Sequence, residues 1–179
     1  NQDAWVENDT IKSLYDKILA ESEYGIVSPL HLTGDGSKLD WNFEMSASYK
    51  LCTGLCADFI LKKNTDKIYH SDFVCAAAWL ISKKCVEKVG GFSPSFYHYA
   101  EDDNYIQRMK YHGFKVGIYP QVKMYHDREN RVFEEKFWST DYISRNKYLL
   151  NISNPNKNLN TTDFLKHLRI SYLKTFLKN

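Results

Sequence analysis

The residues best suited to chemistry in this chain are three consecutive acids, Glu101, Asp102 and Asp103. They follow an aromatic-rich loop over residues 92–99 and precede apolar residues at helical spacing. Acids are favoured in the first turn of a helix, because free backbone N–H groups and the helix dipole stabilise negative charge there. A carboxylate fixed at such a helix start can also take a proton from a substrate hydroxyl. The residues alone therefore predict either a general base or a solvated helix start.

Apolar periodicity predicts the elements that must position these acids. Helical spacing indicates helices at four further places: residues 10–20, 82–89, 131–150 and 162–177. Short apolar runs indicate strands at five places: residues 25–29, 39–48, 72–82, 115–120 and 122–126. Strands that alternate with helices predict an α/β fold.

Composition limits the classes of function. The chain has 179 residues with 43% hydrophobic and 26% charged content, which suits one globular domain with a core. A net charge of +2 gives no strong attraction for nucleic acid, so no nucleic-acid partner is expected. The four cysteines lack zinc-site spacing, so we expect reduced thiols in a cytoplasmic protein.

Aromatic residues make up 15% of the chain, which suits surfaces that pack on sugar rings, although a tyrosine-rich core is the alternative. Trp79 follows three alanines that leave space for a substrate. An indole there can stack on a sugar, and packing in the core is the competing interpretation.

Four segments resemble motifs of the family 2 glycosyltransferases of GT-A fold, and they occur in that family's order. Residues 1–4 are similar to its metal-binding D-x-D region, which is often written N-x-D. Residues 76–81 with 86–92 are similar to its small-residue strand followed by V-G-G-F. The pair 101–102 is similar to the E-D base motif, and residues 142–147 are similar to the Y-x-x-R-N of rhamnosyltransferase-like members. The chain thus resembles the C-terminal half of such an enzyme.

The resemblance implies a GT-A-type, Rossmann-like mixed sheet flanked by helices, with a helical C-terminus. Residues 1–150 would form the metal- and acceptor-binding part, and residues 151–179 a linker and an amphipathic helix. Because the sequence begins inside the metal motif, we expect the N-terminal nucleotide-binding part to be missing. This chain alone would then be inactive.

The resemblance also assigns roles to the acidic cluster. Asp102 would be the general base with Glu101 beside it, and the E-D-D run is also similar to that of β-1,4-galactosyltransferases, where the first Asp after Glu holds the base position. Neighbouring carboxylates raise one another's proton affinity, which improves a base. Glu101 and Asp103 would orient acceptor hydroxyls, and His98 and Tyr99 would shape the acceptor site.

Asp3 and His126 are the implied ligands of a Mg²⁺ or Mn²⁺ ion. These ions accept carboxylate and phosphate oxygens, and an imidazole suits Mn²⁺ better than Mg²⁺. Asn1 stands where the motif has its first acid, so a distant ligand is needed, and His126 would supply it with Asp127 as a weaker substitute. From the residues alone, an ordinary turn aspartate and a structural histidine remain the alternatives.

The implied activity is inverting transfer of a sugar from a nucleotide-sugar donor to a saccharide or lipid-linked saccharide, as in bacterial cell-surface polysaccharide synthesis. A non-catalytic carbohydrate-binding or scaffolding domain is the alternative, and a metal-dependent hydrolase using the acidic triplet is a third. The basic, amphipathic helix predicted over 162–177 could rest on an anionic membrane, which would place the protein at the membrane's inner face. Packing of that helix on the domain or on a partner chain is the competing interpretation.

Overall fold

The computed structural model describes residues 2–48, 52–63, 65–128 and 139–159, together with Thr162 and Leu165. The chain separates into two compact units, Asn1–Gly91 with His112–Phe133 and Phe92–Tyr111 with Glu134–Asn179. Asn1 and the predicted helix over 162–177 lie outside the described residues, apart from the two isolated positions. The proposed membrane contact of that helix and the boundary at residue 150 stay predictions.

The first unit is built on a mixed sheet whose described strands are β1 (Ala4–Val6), β2 (Tyr24–Thr33), β3 (Tyr69–Ser71), β4 (Leu80–Ile81) and β5 (Lys115–His126). β2 and β5 run parallel to each other, and β4 pairs antiparallel with β2. The other edge of β5 is shared, because β3 pairs with its first half and β1 with its last three residues. The long strand β5 therefore joins three other strands.

Helices α1 (Thr10–Ala20), α2 (Trp41–Ser46), α3 (Leu55–Ile60) and α4 (Lys83–Val89) complete this unit. α1 spans the residues predicted to be helical, and its Leu14 and Ile18 pack into one core cluster with Val27 of β2 and Val122 of β5. Burying each such side chain contributes about 1.5–3 kcal/mol. Helix α1 is thus fixed to the sheet by its apolar face.

Gly117 lies where this core leaves no room for a side chain. A Cβ atom there would stand 2.2 Å from Ile68 Cγ2 and 2.7 Å from Tyr24 Cε1. We expect Gly117→Ala to lower the free energy of unfolding by about 1–3 kcal/mol, because overpacking forces neighbouring atoms apart. Urea denaturation measures this, with Gly91→Ala as control, since nothing lies within 4 Å of that position. Equal stability of the two variants would contradict the prediction.

Four of the five predicted strands need correction. Residues 39–48 contain helix α2, because the Asp40 side chain caps its start and Phe43 and Ser46 are buried on one face. Within residues 72–82 only Leu80–Ile81 forms a strand, since the alanine-rich stretch before it folds into a turn. The strands predicted over 115–120 and 122–126 are one strand, β5, whose pairing with β2 shifts register between the pairs Pro29–Tyr119 and Leu30–Lys123.

The second unit contains α5 (Glu101–Tyr111) and α6 (Thr140–Ile152). The three acids occupy the first turn of α5, as predicted, while Tyr105, Ile106 and Met109 are buried. α6 agrees with the predicted helix over 131–150 from residue 140 onward and continues to Ile152, while residues 131–138 lie outside the described residues. None of the helices in the described part of the chain is long and apolar enough to cross a membrane.

Candidate functional site

The end of β5 brings the two predicted cation ligands together. β1 pairs with β5 so that Ala4 lies opposite His126, which places Asp3 beside that histidine. The distance between His126 Nε2 and Asp3 Oδ1 is 3.5 Å, and the Asp127 N–H donates to the Asp3 carbonyl at 2.9 Å. The expected proximity of Asp3 and His126 is therefore found, while their role as metal ligands stays a prediction.

Asp40 is a buried acid beside this pair that sequence analysis missed, and it is only 2% exposed. Its Oδ1 accepts hydrogen bonds from the backbone N–H groups of Asn42 and Phe43, which caps α2. Its Oδ2 accepts from Arg128 Nε at 2.6 Å and lies 3.7 Å from His126 Nδ1. The one available sequence signal was an aspartate followed by residues able to form a helix.

A pocket of about 460 Å³ lies against this cluster, which is within the usual range of small-molecule sites. The side chains that line it include Thr33, Lys38, Trp41, Glu44, His126 and Arg128. The Trp41 side chain is 63% exposed on the pocket wall. Cationic, acidic and aromatic groups thus converge next to Asp3 and His126.

Gly34 allows the turn after β2 to pass close to this pocket. A Cβ atom at Gly34 would stand 2.8 Å from Asp127 Cβ, at the end of β5. A larger residue would therefore push the turn away from the strand end. The turn after β2 therefore packs closely against the end of β5, and Gly34 is among the residues that line the pocket.

Asp3 and His126 offer one carboxylate and one imidazole, a donor set that suits Mn²⁺. Asp40 faces the other ring nitrogen of His126, so it cannot bind the same ion as His126 Nε2. Across the described residues, no group of three or more His, Cys, Asp or Glu side chains could hold a metal by itself. Two protein ligands fit a cation that completes its shell with water and substrate phosphates.

The acidic cluster belongs to the second unit. Burial, strengthened by the negative charges of Asp102 and Glu101, raises the pKa of Asp103 to about 6. Burial also raises the pKa of Glu101, whose Oε2 is buried and has no hydrogen-bond partner in the described chain. The Asp103 N–H donates to Asp102 Oδ1 at 2.9 Å. The proton affinities of Glu101 and Asp103 are therefore raised. Burial contributes more to this than the neighbouring charges do, and the burial of these side chains could not be predicted from the sequence.

His98 and Tyr99 lie directly before α5, with ring centroids 4.2 Å apart. Trp79 belongs to the first unit and is partly buried, and its indole N–H donates to the Val74 carbonyl at 3.1 Å. That hydrogen bond gives Trp79 a structural role, because it ties the alanine-rich turn to Val74. The substrate-binding roles of all three residues stay predictions.

His31 is a second buried histidine near the pocket, and it is a core residue. Its ring stacks on Phe43 at 4.5 Å, and its Nε2 lies 2.8 Å from Ser28 Oγ. Burial lowers the pKa of His31 to about 3, so the ring is neutral at physiological pH. Ser28 and His31 are both 0% exposed, which leaves no path for a substrate to this pair.

No family model matches this chain, and no curated protein sequence matches it. A solved structure of GalNAc-T7 with UDP, GalNAc and Mn²⁺ is similar, with a TM-score of 0.54 and 12% sequence identity. The match covers 94% of this chain and 36% of that protein's chain, so this chain spans little more than a third of that length. At this identity the likeness concerns the fold. The fold is a mixed α/β arrangement like part of a GT-A glycosyltransferase, as predicted from the sequence.

Proposed function

We propose that this chain is the cation- and acceptor-binding part of an inverting glycosyltransferase that uses a nucleotide-sugar donor. The observation that carries the proposal is the 3.5 Å approach of His126 Nε2 to Asp3 Oδ1 beside a pocket, within a GT-A-like fold. The neighbour's bound UDP and Mn²⁺ support a nucleotide and a divalent cation as the ligands.

Asp3 and His126 would hold Mg²⁺ or Mn²⁺, which when bound neutralises charge that develops on a leaving diphosphate. Arg128 and Lys38 add positive charge to the same pocket. Arg128 Nε donates to Asp40 Oδ2. The Nη groups of Arg128 and the Nζ of Lys38 make no hydrogen bond to other described residues. These donors suit phosphate or carboxylate oxygens.

Asp102 would take the proton of an acceptor hydroxyl, whose oxygen attacks the anomeric carbon as the bond to the diphosphate breaks. Attack from the face opposite the leaving group inverts the anomeric configuration. Glu101 and Asp103 would orient the acceptor, with His98, Tyr99 and Trp79 as further contacts. The acceptor class that we propose is a saccharide or lipid-linked saccharide of a bacterial surface polysaccharide. The enzyme type that we propose is a rhamnosyltransferase.

A non-catalytic carbohydrate-binding domain is the second candidate. The exposed Trp41 on the pocket wall favours it, because indole faces pack on the apolar faces of sugars. Such a domain would bind saccharide without needing Asp3 or a divalent cation. Dependence of ligand binding on the cation therefore separates the two functions.

We expect Asp3→Asn and His126→Gln each to weaken binding of Mn²⁺ in the presence of UDP by at least about tenfold, because each removes a ligand. Electron paramagnetic resonance of free Mn²⁺ in solutions of the full-length protein measures this, with GDP and dTDP as alternative nucleotides. Asp16→Asn and His70→Gln are matched controls, since both positions are exposed in the first unit. Unchanged Mn²⁺ affinity in both ligand variants would refute the cation site.

A further inference from the structure

One face of α6 holds the loop that leads into the acidic helix. Tyr142, Arg145 and Asn146 are spaced three and four residues apart, so they lie on the same side of that helix. Tyr142 Oη donates to the His98 carbonyl at 2.6 Å and accepts from the His98 N–H at 3.2 Å. The Tyr142 hydroxyl thus satisfies both backbone groups of His98.

Asn146 adds two hydrogen bonds to the same loop. Its Nδ2 donates to the carbonyls of His98 at 3.3 Å and Tyr99 at 3.2 Å. Arg145 Nη1 donates to Asn146 Oδ1 at 3.2 Å, and its Nη2 donates to the Ser95 carbonyl at 3.3 Å. Asn146 is only 5% exposed, so its amide is a buried polar group with both ends bonded.

The loop needs such support because its backbone is unusual. Tyr99 and Ala100 have φ angles of 60° and 70°, in the left-handed region that residues with a side chain rarely adopt. Such conformations persist where the surroundings enforce them. The Ala100 carbonyl then accepts from the Asn104 N–H at 3.0 Å in the first turn of α5. The path through these two residues therefore sets how the chain enters α5.

We infer that Tyr142, Arg145 and Asn146 are positioning residues that hold residues 95–100 in the conformation from which Glu101 and Asp102 project. We call these three side chains the loop clamp. Its consequence for catalysis rests on the proposed function, in which Asp102 is the base. The structural part of the inference depends only on the hydrogen bonds within this unit.

Hydrogen exchange and steady-state kinetics of the full-length protein test the loop clamp through Asn146→Ala and Tyr142→Phe. We expect backbone amides over 95–104 to exchange at least about tenfold faster in both variants, because two hydrogen bonds to the loop are lost in each. We expect kcat to fall at least about tenfold while the donor KM changes less than about twofold. Ser144→Ala, at an exposed position of the same helix, should change neither quantity.

A rescue variant separates positioning from loss of folding. Glycine adopts positive φ readily, so Ala100→Gly in the Asn146→Ala protein should restore part of kcat. Unchanged exchange over 95–104 in both clamp variants would overturn the inference. So would a wild-type kcat in those variants when Asp102→Asn abolishes transfer. The proposed function fails by a different result, namely a wild-type rate of transfer in Asp102→Asn. In that case hydrogen exchange over residues 95–104 in Asn146→Ala and Tyr142→Phe still decides whether the loop clamp holds the loop.

Discussion

Asp102→Asn is expected to lower the rate of sugar transfer at least about 100-fold while donor affinity stays nearly unchanged, because a positioned base acts on the chemical step. Asparagine has the shape of aspartate and can still accept the hydrogen bond that Asp102 Oδ1 receives from the Asp103 N–H. The substitution therefore removes the proton acceptor with little change in the helix start. Single-turnover transfer in the full-length protein measures the effect.

Asp103→Asn is the comparison variant for this experiment, because we propose that Asp103 orients the acceptor and does not act as the base. Burial and the neighbouring charges raise the pKa of Asp103 to about 6, which is a proton affinity suited to a general base. With Asp102 as the base, Asp103→Asn should keep more than about a tenth of the wild-type rate. The assignment fails if Asp102→Asn keeps that much activity, and it moves to Asp103 if only Asp103→Asn is inactive.

A second large effect is expected on the free energy of unfolding when the pH is lowered, because His31 is buried as a neutral ring. The folded-state pKa of about 3 lies below the value of about 6.5 in an unfolded chain, so the unfolded state binds the proton more tightly. The stability contributed by the neutral ring is complete above pH 6.5 and is lost as the pH falls toward 3. At about 1.4 kcal/mol per pH unit, His31 should lower the free energy of unfolding by about 2 kcal/mol when the pH falls from 7 to 5.

Urea unfolding at pH 7 and pH 5 tests this prediction by comparing the wild type with His31→Gln. Glutamine does not titrate, so the variant should lose much less stability on acidification, even if it is less stable at pH 7. The raised pKa of Asp103 acts oppositely, since its penalty grows as the pH rises from about 4 to 6. That contribution is common to both proteins and cancels. His70→Gln, at an exposed position, should keep the wild-type pH dependence, and the same dependence in His31→Gln would contradict the idea.

Elements whose signals are local could be predicted from the amino-acid sequence. Apolar periodicity predicted α1 over 10–20 and α4 over 82–89, and in the structure Ser82 and Gly90 cap the two ends of α4. Acids placed before a helical pattern predicted the start of α5. Each of these signals depends on neighbours within a few residues, so chain order carries the information. The strand prediction over 39–48 was wrong because the cap supplied by Asp40 outweighed the apolar run.

The sites were decided by tertiary structure. Asp3 meets His126 only because β1 pairs with β5, and the register of that pairing cannot be derived from either segment alone. Arg128 became a pocket residue because Asp40 is buried and accepts its Nε–H. The raised pKa of Asp103 comes mainly from burial. Residue types thus indicated which groups could do chemistry, while long-range pairing and burial fixed which of them meet, since both depend on segments far apart in the chain.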